Sequence, residues 1–291
     1  MKRLVYTALV FLLPILLSGC VKRELDLPEG KFIHIQFDWS HLNDTPNMPT
    51  EMVIRFYSSE GEFLFERTCN TNGFDGYVPD GKYKILIYNP GVKGIGYEDM
   101  NSFKNAHITV PTQSEEGEVL ETPSNIYGTG IKDMVVSGEE TDDIKETIKP
   151  YLHSVMVRVR VTGNSEDVAE CSATIKGVAE AVNLSTGLAM SGTNSPIFGH
   201  LYRFKDTYQG LFRLTGNDEQ YPSVISIKVR FKDGTEKTIQ HNFSDFMDQI
   251  DQHSSDVPLL IELSIDVQLI DGIYTATLKD WVYKEGEIVL D

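Results

Sequence analysis

The sequence predicts an all-β fold, built as two β-sandwiches that follow each other along the chain. Apolar and polar residues alternate with a period of two in many short segments, which is typical of half-buried strands. Short clusters of Gly, Pro, Asn, Asp and Ser separate these segments, and such residues favour tight turns. No long stretch has the period of an amphipathic helix, which favours an all-β sandwich over a helical or α/β class.

The first sandwich is expected over residues 31–150, with a connecting segment at its end. Its first strand places Ile33, Ile35, Phe37 and Trp39 on one face. The turn at residues 58–61 joins the next two strands into a hairpin. The other strands of this sandwich are predicted at residues 52–57, 63–67, 83–88 and 107–110.

Residues 112–150 differ in composition from the strands on either side. They are rich in Glu, Asp, Ser, Thr and Gly and contain few large apolar residues. We interpret them as a connection between the two sandwiches, with one or two short strands, one of them near residues 134–136. Residues 142–148 are compatible with a short helix.

The second sandwich is expected over residues 151–291. Its clearest strand alternates Val155, Val157, Val159 and Val161 with polar residues, and Asp233-Gly234 is a strong hairpin signal. Ser244 is expected to cap a short helix over residues 245–251. Residues 178–192 fit either a short helix or a loop. The remaining strands are predicted at residues 169–175, 211–214, 225–231, 235–241, 261–269, 273–281 and 288–290.

The chain begins with a segment typical of a bacterial lipoprotein signal peptide, predicted over residues 1–19. Its apolar run of about 14 residues is shorter than the roughly 20 residues of a membrane-spanning helix. The run ends in Leu17, Ser18, Gly19 and Cys20, a lipobox in which the Cys20 thiol carries the lipid. Residues 20–30 are then a lipidated tether, held on a membrane by the acyl chains. The alternative is an ordinary signal peptide followed by a chance cysteine.

The acidic charge makes nucleic acid an unfavourable partner. The chain has 26 Lys and Arg against 43 Asp and Glu, a formal net charge of −17. Without residues 1–19, which contain Lys2 and Arg3, 24 basic residues face 43 acidic ones and the charge is −19. Such a surface repels phosphate backbones and anionic lipid headgroups, and its simplest role is solubility. An acidic ligand site is the alternative.

No motif in the sequence points to catalysis, and we expect a protein that is not an enzyme and needs no cofactor or metal. None of the seven His has a metal-binding spacing, and there is no Gly-x-Ser-x-Gly elbow and no Walker loop. Residues 70–76 have the polar spacing of some calcium loops. They lack the distal bidentate Glu of such loops, so a simple turn is the preferred interpretation.

Two cysteines and two tryptophans leave alternatives open. Cys69 and Cys171 remain once Cys20 carries lipid, and an oxidising envelope allows a disulfide between them. Each lies in a strand-like apolar context, however, which favours two separate buried thiols. Trp39 shares the apolar face of its strand, which favours the core over sugar stacking, whereas Trp281 fits either role.

Several short motifs over most of the chain after residue 20 carry a resemblance to a known family. They are Phe37-Asp38-Trp39, Arg55-Phe56-Tyr57, Gly81-Lys82-Tyr83, Tyr88-Asn89, Gly177-Val178-Ala179-Glu180, Phe231-Lys232-Asp233-Gly234-Thr235 and Asp280-Trp281. Together with the lipobox and the charged tether, they resemble the fimbrillin-like lipoproteins of Bacteroides-type bacteria. The nearest group in that family is the FimB-type fimbrial anchor subunits.

The resemblance implies two tandem transthyretin-like β-sandwiches exposed at the outer membrane. Anchor subunits of the family keep their acyl chains, such as palmitate, and fix a fimbria to the membrane. Shaft subunits lose an N-terminal strand to a trypsin-like protease, which opens a groove for a donor strand from the next subunit. Donor-strand insertion is main-chain pairing along a sheet edge and requires no particular side chain. This sequence has no clear Arg cleavage site after its first strands, which favours an anchor.

The sequence therefore predicts a lipid-anchored structural subunit on the outer membrane, acting in cell adhesion. It would anchor or assemble a fimbria through contacts with other fimbrillin-like subunits. The alternative is a surface lipoprotein whose sandwich binds a glycan or a host protein. Exposed aromatic residues on one flat face, for example Trp281 or Tyr88, would favour this alternative.

Overall fold

The computed structural model describes residues 30–40, 42, 48–110, 123–138, 142–192, 196–250 and 258–285. Almost all regular structure in these residues is β-strand, with one short α-helix and one turn of 3-10 helix. The all-β class predicted from the alternating pattern is therefore confirmed. None of the helical segments in the described ranges is long and apolar enough to cross a lipid bilayer.

The first half of the chain packs a three-stranded sheet against a five-stranded sheet. In the order of the chain, its strands are β1 (Lys31–Asp38), β2 (Met52–Tyr57), β3 (Phe63–Cys69), β4 (Gly73–Val78), β5 (Gly81–Tyr88), β6 (Gly96–Glu98), β7 (His107–Thr109), β8 (Tyr127–Val136), β9 (Asp142–Thr147) and β10 (Lys149–Pro150). The three-stranded sheet has the order β4–β1–β9, and the five-stranded sheet has the order β10–β8–β5–β2–β3. Strands β6 and β7 belong to a separate small sheet.

The five-stranded sheet is buried on both faces in its centre. Ile54 and Ile85 point into the sandwich core with the inner residues of β1, whereas Val53 and Leu86 belong to a second apolar cluster on the opposite face. Such double burial explains why β2 and β5 read as nearly continuous apolar runs. Each fully buried aliphatic side chain contributes about 1.5–3 kcal/mol to stability.

Residues 112–150 contain more strand than expected, although the short strand expected near residues 134–136 is present as the end of β8. The segment compatible with a short helix is instead strand β9, which pairs in parallel with β1. The stretch expected to be mainly a connection contains the ten-residue strand β8, which pairs with β5. Gly128 and Gly130 weaken the strand signal of β8, yet both are required, because a Cβ there would collide with backbone atoms of Ile87 and Ser185.

The turn predicted at residues 70–76 is half right. The Asn72 N–H donates to the Asn70 side chain at 2.8 Å, which is turn geometry, but Gly73–Val78 is strand β4 beside β1. Gly73 has a φ of +142°, and a Cβ there would lie 2.0 Å from the Ile35 carbonyl oxygen. Glycine is therefore needed for this close approach of two strands.

The second half of the chain is built on one eight-stranded sheet. Its elements are β11 (His153–Gly163), a 3-10 turn (Ser165–Asp167), β12 (Val168–Lys176), β13 (Ala181–Asn183), β14 (Ala189–Met190), β15 (Ile197–Phe204), β16 (Thr207–Leu214), β17 (Val224–Phe231), β18 (Glu236–Asn242), α1 (Ser244–Ile250), β19 (Leu259–Ile270) and β20 (Ile273–Glu285). The strand order is β18–β17–β12–β15–β16–β11–β19–β20, so β18 and β20 form the two edges of the sheet.

The eight-stranded sheet wraps around a single core. The four valines of β11 that were predicted from their alternation are all buried in it, at 0–7% exposure. Strand β15 turns the corner of the sheet, since Ile197–Leu201 pair with β12 and Tyr202–Phe204 pair with β16. The architecture of two successive sandwiches that the resemblance implies is confirmed, with one packed core inside each.

A hairpin from the second half reaches over to the first. The residues left open between helix and loop form strands β13 and β14, and β13 pairs with β7 through Val182 opposite Ile108. Val182 and Leu184 are buried with Tyr57 and Tyr88 of the first half. The two halves thus share one apolar cluster, and the predicted domain boundary after residue 150 stays a prediction.

Helix α1 begins one residue earlier than expected. The Phe243 carbonyl accepts hydrogen bonds from the N–H groups of Phe246 and Met247, so Ser244 lies inside the helix and does not cap it. Phe246, Met247 and Ile250 face the core.

Candidate functional site

The first strand, β1, lies in a groove between β4 and β9. It pairs antiparallel with β4, where Ile35 is opposite Phe74, and parallel with β9, where Ile35 is opposite Ile144. Ile33 and Ile35 are completely buried, and Phe37 is 5% exposed. An N-terminal strand of alternating apolar residues thus fills the centre of a sheet and supplies one wall of the sandwich core.

The outer face of β1 is polar except at its beginning. Phe32 and Tyr77 are both exposed and meet edge to face at 5.3 Å. His34 pairs with Asp75, and the Lys145 Nζ lies 2.9 Å from a carboxylate oxygen of Asp38. Lys145 and hydrogen bonds from Ser40 hold the pKa of Asp38 well below its usual range. These cross-strand pairs join β1 to both of its neighbours.

Strand β9 is an edge strand with a charge on its inner side. Its other edge has no strand partner among the described residues. Ile144 and Glu146 alternate toward the core, and Glu146 lies opposite Phe37. Partial burial raises the pKa of Glu146. An inward-pointing charge is one of the devices by which natural proteins prevent unwanted pairing along an exposed edge.

The two edges of the eight-stranded sheet meet through side chains. The rings of His241 on β18 and Trp281 on β20 are 4.2 Å apart, and the Gln249 amide donates to the Tyr283 hydroxyl at 2.9 Å. Burial lowers the pKa of His241. These contacts place Trp281, whose role the sequence leaves open, against the core at the closure of the sheet.

The lipobox residues Leu17, Ser18, Gly19 and Cys20 lie outside the described residues, as does the predicted signal peptide. The lipid attachment thus stays a prediction from the sequence. The described part of the chain contains no cluster of His, Cys, Asp or Glu that could hold a metal ion.

Cys69 and Cys171 are free thiols. Cys69 is half-buried and Cys171 fully buried, and burial raises their pKa values to about 11 and about 12. Thiols that are protonated at neutral pH are poor nucleophiles, so neither has the character of a reactive cysteine.

Two aromatic residues considered for sugar stacking, Trp39 and Tyr88, pack into the apolar clusters of the first half. Trp39 donates its ring N–H to the Thr71 carbonyl at 2.7 Å and packs against the core, as favoured from its strand face. Tyr88 is buried at 6% exposure.

The sequence reasoning missed the two strands that flank β1. In β4, Gly73 precedes the apolar residue Phe74, and Gly76 lies between Phe74 and Val78. In β9, Ile144 and the following Ile148 are the apolar residues, and the charged residues between them suggested a helix. Phe74 and Val78 are four residues apart, as are Ile144 and Ile148, so each pair would lie on one face of a strand. This spacing was the sequence feature from which the two flanking strands could have been predicted.

Three comparisons relate this chain to known proteins. Residues 19–199, more than half of the chain, match a family described as a domain of unknown function, DUF5119. A curated relative is a candidate fimbrium anchoring subunit, Fim4B, from Bacteroides ovatus, 22% identical over 197 residues. That match covers 61% of this chain and 58% of the relative, so less than two thirds of the relative's length is spanned.

Two solved structures are similar to this chain in fold. A candidate adhesin from Bacteroides ovatus superposes with a TM-score of 0.64 at 15% identity, covering 87% of this chain and 94% of that one. The fimbrial anchor protein Mfa2 from Porphyromonas gingivalis gives a TM-score of 0.59 at 7% identity, covering 88% and 98%. The chain therefore belongs to the DUF5119 family and has the fold of the fimbrillin-like proteins that its sequence resembles.

Proposed function

We propose that this protein is a lipid-anchored subunit on the outer membrane that anchors a fimbria. The observation that carries the proposal is the position of β1 between β4 and β9, inside its own sandwich core. In a subunit that keeps β1, this strand occupies the groove between β4 and β9, and no donor strand from another subunit can enter it. The resemblance implies this state for an anchor. Similar proteins described as a fimbrium anchoring subunit and as the fimbrial anchor Mfa2 support this role.

The distribution of basic residues supports retention of β1. A trypsin-like protease cuts after Lys or Arg, and the sequence has neither between Lys31 and Arg55. Lys31 begins β1 and is 8% exposed, and its Nζ donates to the Ser137 carbonyl at 2.9 Å. Arg55 lies within β2, and its side chain is 13% exposed. The connection between β1 and β2 therefore offers such a protease no target.

Contacts with other subunits would be main-chain hydrogen bonds along sheet edges. This mode of recognition gains affinity from backbone groups and specificity from alternate side chains. It fits a protein in which the sequence shows no catalytic motif. Cys20, with its acyl chains, would hold the protein on the membrane.

Surface adhesion is a second function that the fold supports. A similar solved structure is described as a candidate adhesin. The specific observation that favours binding in this chain is a large polar cleft between the two halves. Such a role is compatible with anchoring, because the cleft and β1 are separate parts of the molecule.

The test is affinity isolation of the full-length protein from native outer membranes, with mass spectrometry of its mature N-terminus. We expect an acylated N-terminus at Cys20, together with fimbrillin-like subunits in the isolated complex. An unacylated N-terminus beyond β1 would identify a processed shaft subunit. Acylated Cys20 without any fimbrial partner would overturn the fimbrial role.

A further inference from the structure

A polar cleft lies where the two halves of the chain meet. Its volume of about 640 Å³ falls within the range of roughly 300–1,000 Å³ that is usual for ligand pockets. One wall is formed by residues 128–130 of β8 together with β10, and the other by residues 184–189 and Ser191. Tyr151 and Thr215 also line the cleft.

Hydrogen bonds across the two halves hold these walls in place. The Tyr151 hydroxyl donates to the Leu184 carbonyl at 2.6 Å, and the Leu184 N–H donates to the Ala106 carbonyl at 2.9 Å. The Asn183 amide donates to the Lys104 carbonyl at 2.7 Å. Because both walls are fixed before any ligand arrives, binding would need little ordering of the chain.

A buried carboxylate holds the backbone beside two residues of the cleft lining. Asp218 is 0% exposed and accepts hydrogen bonds from the N–H groups of Gly192 at 3.2 Å and Gln220 at 3.1 Å. Ser191 and Glu219, which both line the cleft, are the residues next to these anchored positions. The backbone next to both lining residues is thus held in place.

The lining is rich in hydroxyl groups. Ser185 and Thr186 both donate to the Asn183 side-chain oxygen, at 2.7 and 3.1 Å, and their oxygens remain able to accept. Within the described ranges, the hydroxyls of Thr129 and Ser191 have no hydrogen-bond partner in the protein. Hydroxyls that both donate and accept match the hydroxyls of a sugar.

The charges of the lining favour a neutral ligand. Lys149 and Glu219 carry opposite charges, and both are exposed. A strongly anionic or cationic ligand would meet one of them unfavourably. Leu188 is 67% exposed at the cleft and offers an apolar contact for the C–H face of a sugar ring.

From this geometry we propose that the cleft binds a neutral oligosaccharide. The inference deepens the adhesive function and does not depend on fimbrial anchoring. Isolation from native membranes tests the proposed anchoring, whereas direct sugar binding tests the cleft. A negative result in one experiment therefore leaves the other proposal standing.

The test is an array of neutral and sialylated oligosaccharides probed with the detergent-solubilised full-length protein, followed by calorimetry with the sugars that bind. We expect neutral oligosaccharides to bind. Thr129→Val removes one hydroxyl at nearly constant shape and should weaken binding roughly 2- to 12-fold, the effect of one neutral hydrogen bond. Thr186→Trp should fill the cleft and abolish the array signal.

Thr277→Trp is the matched control, because Thr277 is an exposed threonine on β20 that does not line the cleft. This variant should bind the same sugars as the natural protein. A natural protein that binds no oligosaccharide would overturn the inference. So would binding of sialylated sugars alone, or binding that Thr186→Trp leaves unchanged.

Discussion

At the scale of single residues, Glu146 on the inner side of β9 should lower the stability of the fold. The same charge discourages unwanted pairing along the exposed edge of this strand. Glu146 occupies a position where the alternation of the strand would place an apolar residue, opposite Phe37. Partial burial disfavours the charged carboxylate and raises its pKa above the usual 4.5. The folded state therefore binds a proton at this group more readily than the unfolded chain does. Above the folded pKa, the charge lowers the stability of the fold.

We predict that Glu146→Gln stabilises the protein at pH 7 but not in acid. The gain should shrink as the pH falls through the raised folded pKa. It should vanish below about pH 4, where the carboxyl is protonated in both states. Urea denaturation midpoints at several pH values measure it. Glu51→Gln, at an exposed Glu, is the control and should show no such gain. A gain that does not change with pH would contradict the explanation.

At the scale of elements, a strand is predicted correctly when its signal is local, and it is missed when it depends on a partner far away in the sequence. The alternating valines of β11 and the Asp233-Gly234 hairpin are local signals, and the structure has both as predicted. Strand β9 was misread because an edge strand carries charges, and its partner β1 lies about a hundred residues earlier. For the candidate site, the sequence indicated that β1 has a buried face. The groove around β1 depends on long-range register, which local patterns do not contain.

The β13–β14 hairpin is the element that joins the two halves. Leu184 is 1% exposed in the shared cluster, whereas Leu188, four residues later, is 67% exposed. We predict that Leu184→Ala destabilises the protein by about 2–5 kcal/mol through the cavity it leaves. Thermal unfolding should then separate into two steps, because the halves lose part of their common core.

Differential scanning calorimetry of the full chain measures both effects. Leu188→Ala is the matched control, since it removes the same atoms from an exposed position and should change stability by less than about 0.5 kcal/mol. Equal effects of the two substitutions would show that the hairpin does not couple the halves.

At the scale of the whole molecule, the described chain enters the first sandwich at one end of β1. Residue 30 precedes β1 beside Val78 and Pro79, whereas β9 ends at Thr147, opposite Asp38 at the other end of β1. The acidic charge of −19 that remains without residues 1–19 gives the body no attraction to anionic lipid. We therefore expect attachment to depend on the predicted lipid at Cys20.

We therefore predict that Cys20→Ser moves the protein from the membrane fraction to the soluble fraction of the envelope. The natural protein should stay in the membrane fraction at both low and high salt, because acyl chains are buried by the hydrophobic effect and not by charge. Cell fractionation followed by immunoblotting measures the distribution. Ser18→Ala keeps a small residue in the lipobox and is the control, expected to remain with the membrane. If Cys20→Ser stays bound but is released by salt, the body itself contacts the membrane. The tether would then not be the attachment.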